Sequence, residues 1–226
     1  MNVSSTSLVP IPLGFVKAFL IRGERPILID TGYRGSEQRI LAACTKQGVS
    51  PGDLALILIT HCHSDHVGSL EALLAQARTP VAICRPDATA LRQGTSADMR
   101  PAGLLGRMVS MIAPKEPPGK GIEPDVVFDD ELDLSAFGVR GRAIATPGHT
   151  AGSSSVILEG GEAIVGDMVM GGFLGRGRPR KPFLAHDLEQ CAASLRALLA
   201  LEPTAIHPSH GGPFAPDEVK RLLEAW

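Results

Sequence analysis

Aromatic residues make up only 4% of this 226-residue chain, with one Trp and one Tyr. So few ring faces exclude a base-stacking platform for single strands. Positive charge is not in excess either: 22 Lys and Arg stand against 24 Asp and Glu, a net charge of −2. Without a basic field, nucleic acid is not expected as a partner. The longest apolar run, Leu54 to Ile59, is far short of the ~20 residues that span a bilayer, so no membrane is expected. Residues 1–14 lack a basic stretch followed by an apolar one, the mark of a secretory signal. The four cysteines (Cys44, Cys62, Cys84, Cys191) are widely spaced with no Cys-x-x-Cys, against both a thiolate zinc site and a disulfide framework. A reduced, cytoplasmic setting is the expectation.

With 44% hydrophobic residues, the chain can bury a sizeable core as a single domain spanning 1–226. Strand-like runs cover Phe15 to Arg22 and Pro26 to Ile29, with Gly23-Glu24-Arg25 as a hairpin turn. Ser36 reads as the N-cap of a helix ending at Gly48. Further strands are expected at Leu54 to Ile59, Val81 to Cys84, Val126 to Phe128, Val139 to Ala145, Ser154 to Leu158, Ala163 to Val165 and Thr204 to Ile206. Helices are expected from Gly68 to Ala77, from Asp187 to Ala200 and from about Pro216. Residues 86–124, rich in Pro and Gly, read as a lid or insert carrying a short apolar helix around Leu104, Leu105, Met108, Val109, Met111 and Ile112. Interleaved strands and helices in both halves indicate a layered α/β domain.

The most informative stretch is Thr60-His61-Cys62-His63-Ser64-Asp65-His66-Val67-Gly68. Three imidazoles and a carboxylate directly follow a buried strand, on a turn into a helix, where α/β proteins place their chemistry. Packed without an ion, these groups would carry a desolvation cost; neutral His and ionised Asp are good ligands for Zn²⁺ and related ions. Other ligand types follow other strands: His149 after Ala145, Asp167 after Val165, and His210 after Ile206, each beside Gly or Pro.

This ordered set, from Asp30 through the His-x-His-x-Asp-His run at 61–66 to His149, Asp167 and His210, resembles the metallo-β-lactamase superfamily. The resemblance implies an αββα four-layer sandwich with a dinuclear metal site at one edge of its two sheets. His61, His63 and His149 would hold one ion, Asp65, His66 and His210 the other, and Asp167 would bridge them. Asp30 would be a buried carboxylate orienting a ligand histidine. Two divalent ions are therefore expected as cofactors, zinc first, with iron and manganese accepted by the same donors. A water shared between the ions would ionise near neutral pH and attack an ester, thioester or lactone carbonyl, with Asp65 as the catalytic proton relay.

Departures within the superfamily narrow the reading. Antibiotic-hydrolysing members lack the bridging Asp167; flavodiiron oxygen reductases carry Glu where this chain has His63. Superfamily nucleases add an arm or a long inserted domain for which 226 residues leave little room. The chain is most similar to the branch of glyoxalase II and small lactonases, although only one helix follows His210, without the helical glutathione-binding domain of glyoxalase II proper. Mononuclear-iron persulfide dioxygenases share the motif set and are the alternative oxidoreductase reading; a non-catalytic metal-binding protein on the same scaffold is the third. A small-molecule substrate and a homodimer are the partners considered. Arg176, Arg178, Arg180 and Lys181 form a loop able to meet a carboxylate or phosphate. Tyr33 could donate to an oxyanion near the ions. Cys62 is expected to point away from them and pack, and His186 and His207 to serve structure.

Overall fold

Most strands are apolar on both faces, the pattern of sheets covered on each side. In the computed structural model, which describes residues 6–112, 119–171 and 177–226, two sheets stand face to face. The side chains of Leu104, Leu105, Val109, Ser110 and Ile112 lie outside that description, as do Arg176 and residues 114–118 of the Pro- and Gly-rich segment.

The first sheet starts with β1 (Ser7–Pro12), β2 (Lys17–Arg22) and β3 (Ile27–Ile29), paired antiparallel. Helix α1 (Glu37–Lys46) leads to β4 (Leu56–Ile59), and short helices α2 (Ser64–Val67) and α3 (Leu70–Leu74) lead to β5 (Val81–Cys84). After α4 (Arg85–Gln93), β6 (Arg100–Pro101) and α5 (Gly103–Ile112), β7 (Val126–Phe128) completes the order β1-β2-β3-β4-β5-β7, with β3, β4, β5 and β7 parallel. Strands β8 (Glu131–Asp133), β9 (Gly141–Ala145), β10 (Ser154–Leu158), β11 (Glu162–Ile164) and β13 (Ala205–His207) form the second sheet in the order β13-β11-β10-β9-β8. Strand β12 (Leu184–Ala185) pairs with β6 instead, and α6 (Leu188–Leu199) and α7 (Pro216–Glu224) follow β12 and β13 respectively.

Side-chain alternation builds the layers. Ala18, Leu20, Leu28, Ile57, Ile59, Val81 and Ile83 pack outward against Ile40 of α1, Leu70 and Leu73 of α3 and Leu91 of α4. Their strand neighbours Phe19, Ile21, Ile27, Ile29, Leu56 and Leu58 meet Ala143, Val156, Leu158 and Ile164 of the facing sheet. Beyond it, Ala163, Val165 and Ile206 pack on Cys191, Leu195 and Leu198 of α6 and Val219 and Leu223 of α7. Helices, sheet, sheet, helices: this is the αββα four-layer sandwich. Truncating one of the fully buried residues between the sheets, such as Leu58, to Ala costs about 2–5 kcal/mol.

Local differences from the sequence reading have physical causes. The Arg85-Pro86 step opens α4, because Pro fits the first helical turn, and Gly94 in the left-handed region (φ 66°) ends the helix. The helix after the metal-type turn starts early, at Ser64, so Asp65 and His66 lie on its first turn. Ser36 occupies the N-cap position of α1 without a side-chain cap bond; its N–H donates to Ser69 Oγ at 2.8 Å. Asp187 does cap α6, accepting from the N–H groups of Glu189 and Gln190.

Candidate metal centre

All the ligand-type residues leave the C-terminal ends of strands in the two sheets: Asp30 after β3, His61 after β4, His149 after β9, Asp167 after β11 and His210 after β13. A bond from Ser154 N–H to Thr60 O (2.8 Å) joins the sheets at this edge. The chain folds so that its seven metal-type side chains form two groups, His61, His63 and His149 in one, and Asp65, His66, Asp167 and His210 in the other. Within each group the donor atoms lie within 4.8 Å of one another.

In the first group, His63 Nδ1 and His149 Nε2 stand 3.1 Å apart. Two nitrogens bound at ~2.0–2.1 Å in a tetrahedral shell are separated by about 3.3 Å, so the spacing suits one shared ion. In the second group, His210 Nε2 lies 3.2 Å from both Asp65 Oδ2 and Asp167 Oδ2, and His66 Nε2 lies 3.6 Å from Asp167 Oδ1. Asp167 Oδ2 is also 3.7 Å from His149 Nε2, which puts this carboxylate between the groups.

Surrounding hydrogen bonds fix which ring nitrogens face inward. His66 Nδ1 donates to Asp30 Oδ2 at 2.8 Å. Thr60 Oγ1 gives its own proton to the same Asp30 oxygen (2.8 Å), so it accepts from His61 Nδ1 at 3.1 Å. His210 Nδ1 donates to the Phe15 carbonyl at 2.8 Å. Whenever these three rings are neutral, the lone pair is therefore on Nε2. The Nε2 atoms of His61 and His66 and Oδ1 of Asp167 are buried without a hydrogen-bond partner, a costly arrangement that a cation relieves. The residues present fit a pair of divalent ions.

Electrostatics divides the groups. Burial pushes His61 and His63 below the usual imidazole range and His149 down to about 3, which keeps all three neutral and ready to ligate. At His66 burial opposes the charge, yet Asp30, Asp65 and Asp167 outweigh it and hold the ring well above its ordinary value. At His210 burial is likewise overcome by Asp167 and Asp65, to about 10. Burial also opposes ionisation of the two acids, but His66 and His210 hold Asp65 at about 2, and His210 and His66 hold Asp167 well below the usual carboxylate range. In the second group protons stand where a cation would.

The residues that support the ligands carry weaker signals in the sequence. Asp30 orients His66 as expected, from a left-handed backbone (φ 59°) that Asp tolerates better than most residues. Thr60, inside the motif, gains a role as the link between Asp30 and His61. Lys17 holds the His210 loop, its N–H donating to Ser209 O (2.9 Å) and its Nζ to Gly211 O. Nothing in a strand-start lysine signals this. Gly148 lets the His149 loop lie on α6, since a Cβ there would come within 2.2 Å of Cys191 N. Cys62 packs in the outer core, with Sγ donating to Thr95 O, and Tyr33 packs against that core as well. His186 and His207 join neither group: His186 Nδ1 faces Asp98 at 3.7 Å and His207 Nε2 faces Glu162 at 3.3 Å. Arg178 and Arg180 are exposed, whereas Lys181 donates to the Trp226 carbonyl and lies over its ring.

A family model described as the metallo-beta-lactamase superfamily matches residues 11–210. The chain belongs to the metallo-β-lactamase superfamily. It is 31% identical over 201 residues to metallo-beta-lactamase domain-containing protein 1 of Xenopus laevis, covering 86% of this chain and 70% of that protein. It is 30% identical over 159 residues to a "Probable metallo-hydrolase" of Methanocaldococcus jannaschii, covering 70% of this chain and 69% of that one. Among solved structures, a protein crystallised in a di-iron-bound form superposes with a TM-score of 0.64 at 27% identity, over 95% of this chain and 98% of the other. Superfamily members bind metal ions, and this chain carries candidate His and Asp groups for them. No helix among the described residues is long and apolar enough to cross a membrane.

Proposed function

We propose that this chain is a two-metal hydrolase acting on an ester, thioester or lactone. The observation that carries the reading is the position of Asp167 Oδ2, 3.7 Å from His149 Nε2 and 3.2 Å from His210 Nε2, within reach of both ligand groups. His61, His63 and His149 would hold one ion, Asp65, His66 and His210 the second, and Asp167 would be shared. When bound, such a pair supplies a water acidic enough to ionise near neutral pH and a Lewis acid for a carbonyl oxygen. The di-iron form of the 27%-identical relative supports the pair and makes iron a competitor to zinc.

The protein's own part is positional and protolytic. The bonds to Asp30, Thr60 and the Phe15 carbonyl hold three imidazoles in the ligating tautomer. Asp65 is 18% exposed in its side chain, more open than buried His66 beside it, and can pass a proton between the site and solvent. Phe15, 70% exposed, sits on the residue whose carbonyl receives His210, so an apolar ring stands at the rim. Met108 and Met111 of α5 are exposed too, and α5 within residues 86–124 serves as a lid with an adaptable apolar surface for an acyl group.

Metal analysis of purified protein together with a screen of acyl-thioesters, lactones, phosphodiesters and glutathione persulfide tests this. About two ions per chain and turnover of a carbonyl ester class are expected. A single iron with oxygen-dependent persulfide turnover would overturn the reading, and so would two ions with no hydrolysis of any ester.

A further inference from the structure

Asp87 belongs to neither ligand group, yet its residue is only 2% exposed and its carboxylate reaches both loops that carry the first three histidines. Oδ2 accepts from the Cys62 N–H at 2.8 Å and the Thr150 hydroxyl at 2.9 Å, and Oδ1 accepts from the Gly152 N–H at 2.9 Å. Cys62 is the residue between His61 and His63; Thr150 directly follows His149. One loop continues β4 of the first sheet and the other joins β9 to β10 of the second, so Asp87, on the first turn of α4, ties the sheets together beside the site. The fit is close. A Cβ on Gly152 would lie 2.5 Å from Asp87 N and 2.6 Å from Oδ1, so only glycine lets this loop press onto the carboxylate.

The tie answers a specific need. As ligands, His63 Nδ1 and His149 Nε2 must both present lone pairs across 3.1 Å, and those repel until an ion lies between them. The scaffold must hold the two loops at that distance beforehand. All three donors to Asp87 are neutral, and an ionised acceptor makes each of those bonds stronger than a neutral one would. We propose that Asp87 is a positioning residue for the first metal ion, setting the gap between the His61/His63 loop and the His149 loop. This rests on the two-metal reading.

The test is a cobalt(II) titration of Asp87→Asn beside the wild type, reading the visible band and chelator-competition affinity of each equivalent, with circular dichroism on the same samples. An amide offers a donor where the carboxylate had only acceptors, so either the Cys62 or the Gly152 N–H loses its acceptor and its loop is loosened. First-ion affinity is expected to fall about 10–100-fold with a shifted cobalt band, while the second equivalent is less affected. If Asp87→Asn does not fold, Thr150→Val, which is isosteric and removes one donor, carries the same reading with a smaller loss. Wild-type first-ion affinity and band in the folded variant overturn the proposal. Absence of a second ion, or of ester hydrolysis, in the wild type would sink the functional reading instead, and the first-ion comparison would still decide the role of Asp87.

Discussion

His66 Nδ1 donates to Asp30 Oδ2 at 2.8 Å, and both side chains are fully buried. Asp30 also accepts from the N–H and hydroxyl of Thr60, so one carboxylate satisfies three buried donors. Asp30→Asn turns one of those acceptors into a donor facing a donor. The unpaired group should lower stability by about 1–3 kcal/mol. Because His66 loses its orientation, affinity for the second ion should fall about 10–100-fold, more than for the first. Thermal unfolding and chelator competition measure the two effects separately. Equal losses at both ions would mean that Asp30 acts through Thr60 and His61 as strongly as through His66.

Removing His63 tests the first group. Its ring is buried and faces His149, so His63→Ala leaves two imidazoles where three converge. The ring stacks edge-on against His61 and His149, which are themselves ligand types, so far-UV circular dichroism should stay unchanged. Metal content should drop toward about one ion per chain and hydrolysis should fall by orders of magnitude. Retained turnover in the folded variant would sink the ligand assignment.

How far the sequence announces this site depends on whether a residue's role is written in its local neighbours. His61, His63, Asp65 and His66 are legible because ligand types cluster within one turn, and His149, Asp167 and His210 because each follows an apolar strand beside Gly or Pro. The layers are legible for the same reason: runs such as Leu56–Ile59 are apolar at every position, which demands cover on both faces. Strand β1 is missing from the strands expected from sequence; its Pro10 and Pro12 fit because an edge strand tolerates proline on its unpaired side. Asp87 and Lys17 act on partners 25 to 194 positions away, and a helix-start acid or a strand-start lysine looks ordinary in one dimension. Thr60 sat in plain view, but its bond to Asp30 exists only once β3 and β4 lie side by side.

Lys17 supports the second group from behind. Burial lowers its pKa to about 8, and its Nζ donates to the Gly211 carbonyl, next to His210. Lys17→Met keeps the apolar stem and the backbone bond to Ser209 while deleting the ammonium. The His210 loop should loosen, with about a tenfold weaker second ion and little change at the first. Isothermal titration resolves the two steps; a loss confined to the first ion would refute the argument.

The opposite electrostatics of the two groups predicts opposite pH behaviour. His61, His63 and His149 are held below the ordinary imidazole value and are neutral at pH 6–8, so the first ion should bind with little proton release. His66 and His210 are held above it, to about 10 for His210, and must give up protons when the second ion binds. Up to about two protons should be released, and affinity for that ion should rise up to about a hundredfold per pH unit between pH 6 and 8. Calorimetry in buffers of different ionisation heat counts those protons directly. The same shifts govern the chelator-treated protein. Its raised histidines contribute stability that is present below the unfolded value of 6.5 and lost as pH climbs through the folded values. Its lowered histidines contribute stability that is lost as pH falls from 6.5 toward about 3. Metal-free protein should therefore be most stable near pH 6.5, and equal pH slopes for the two ions would contradict the division of the site into a neutral and a protonated half.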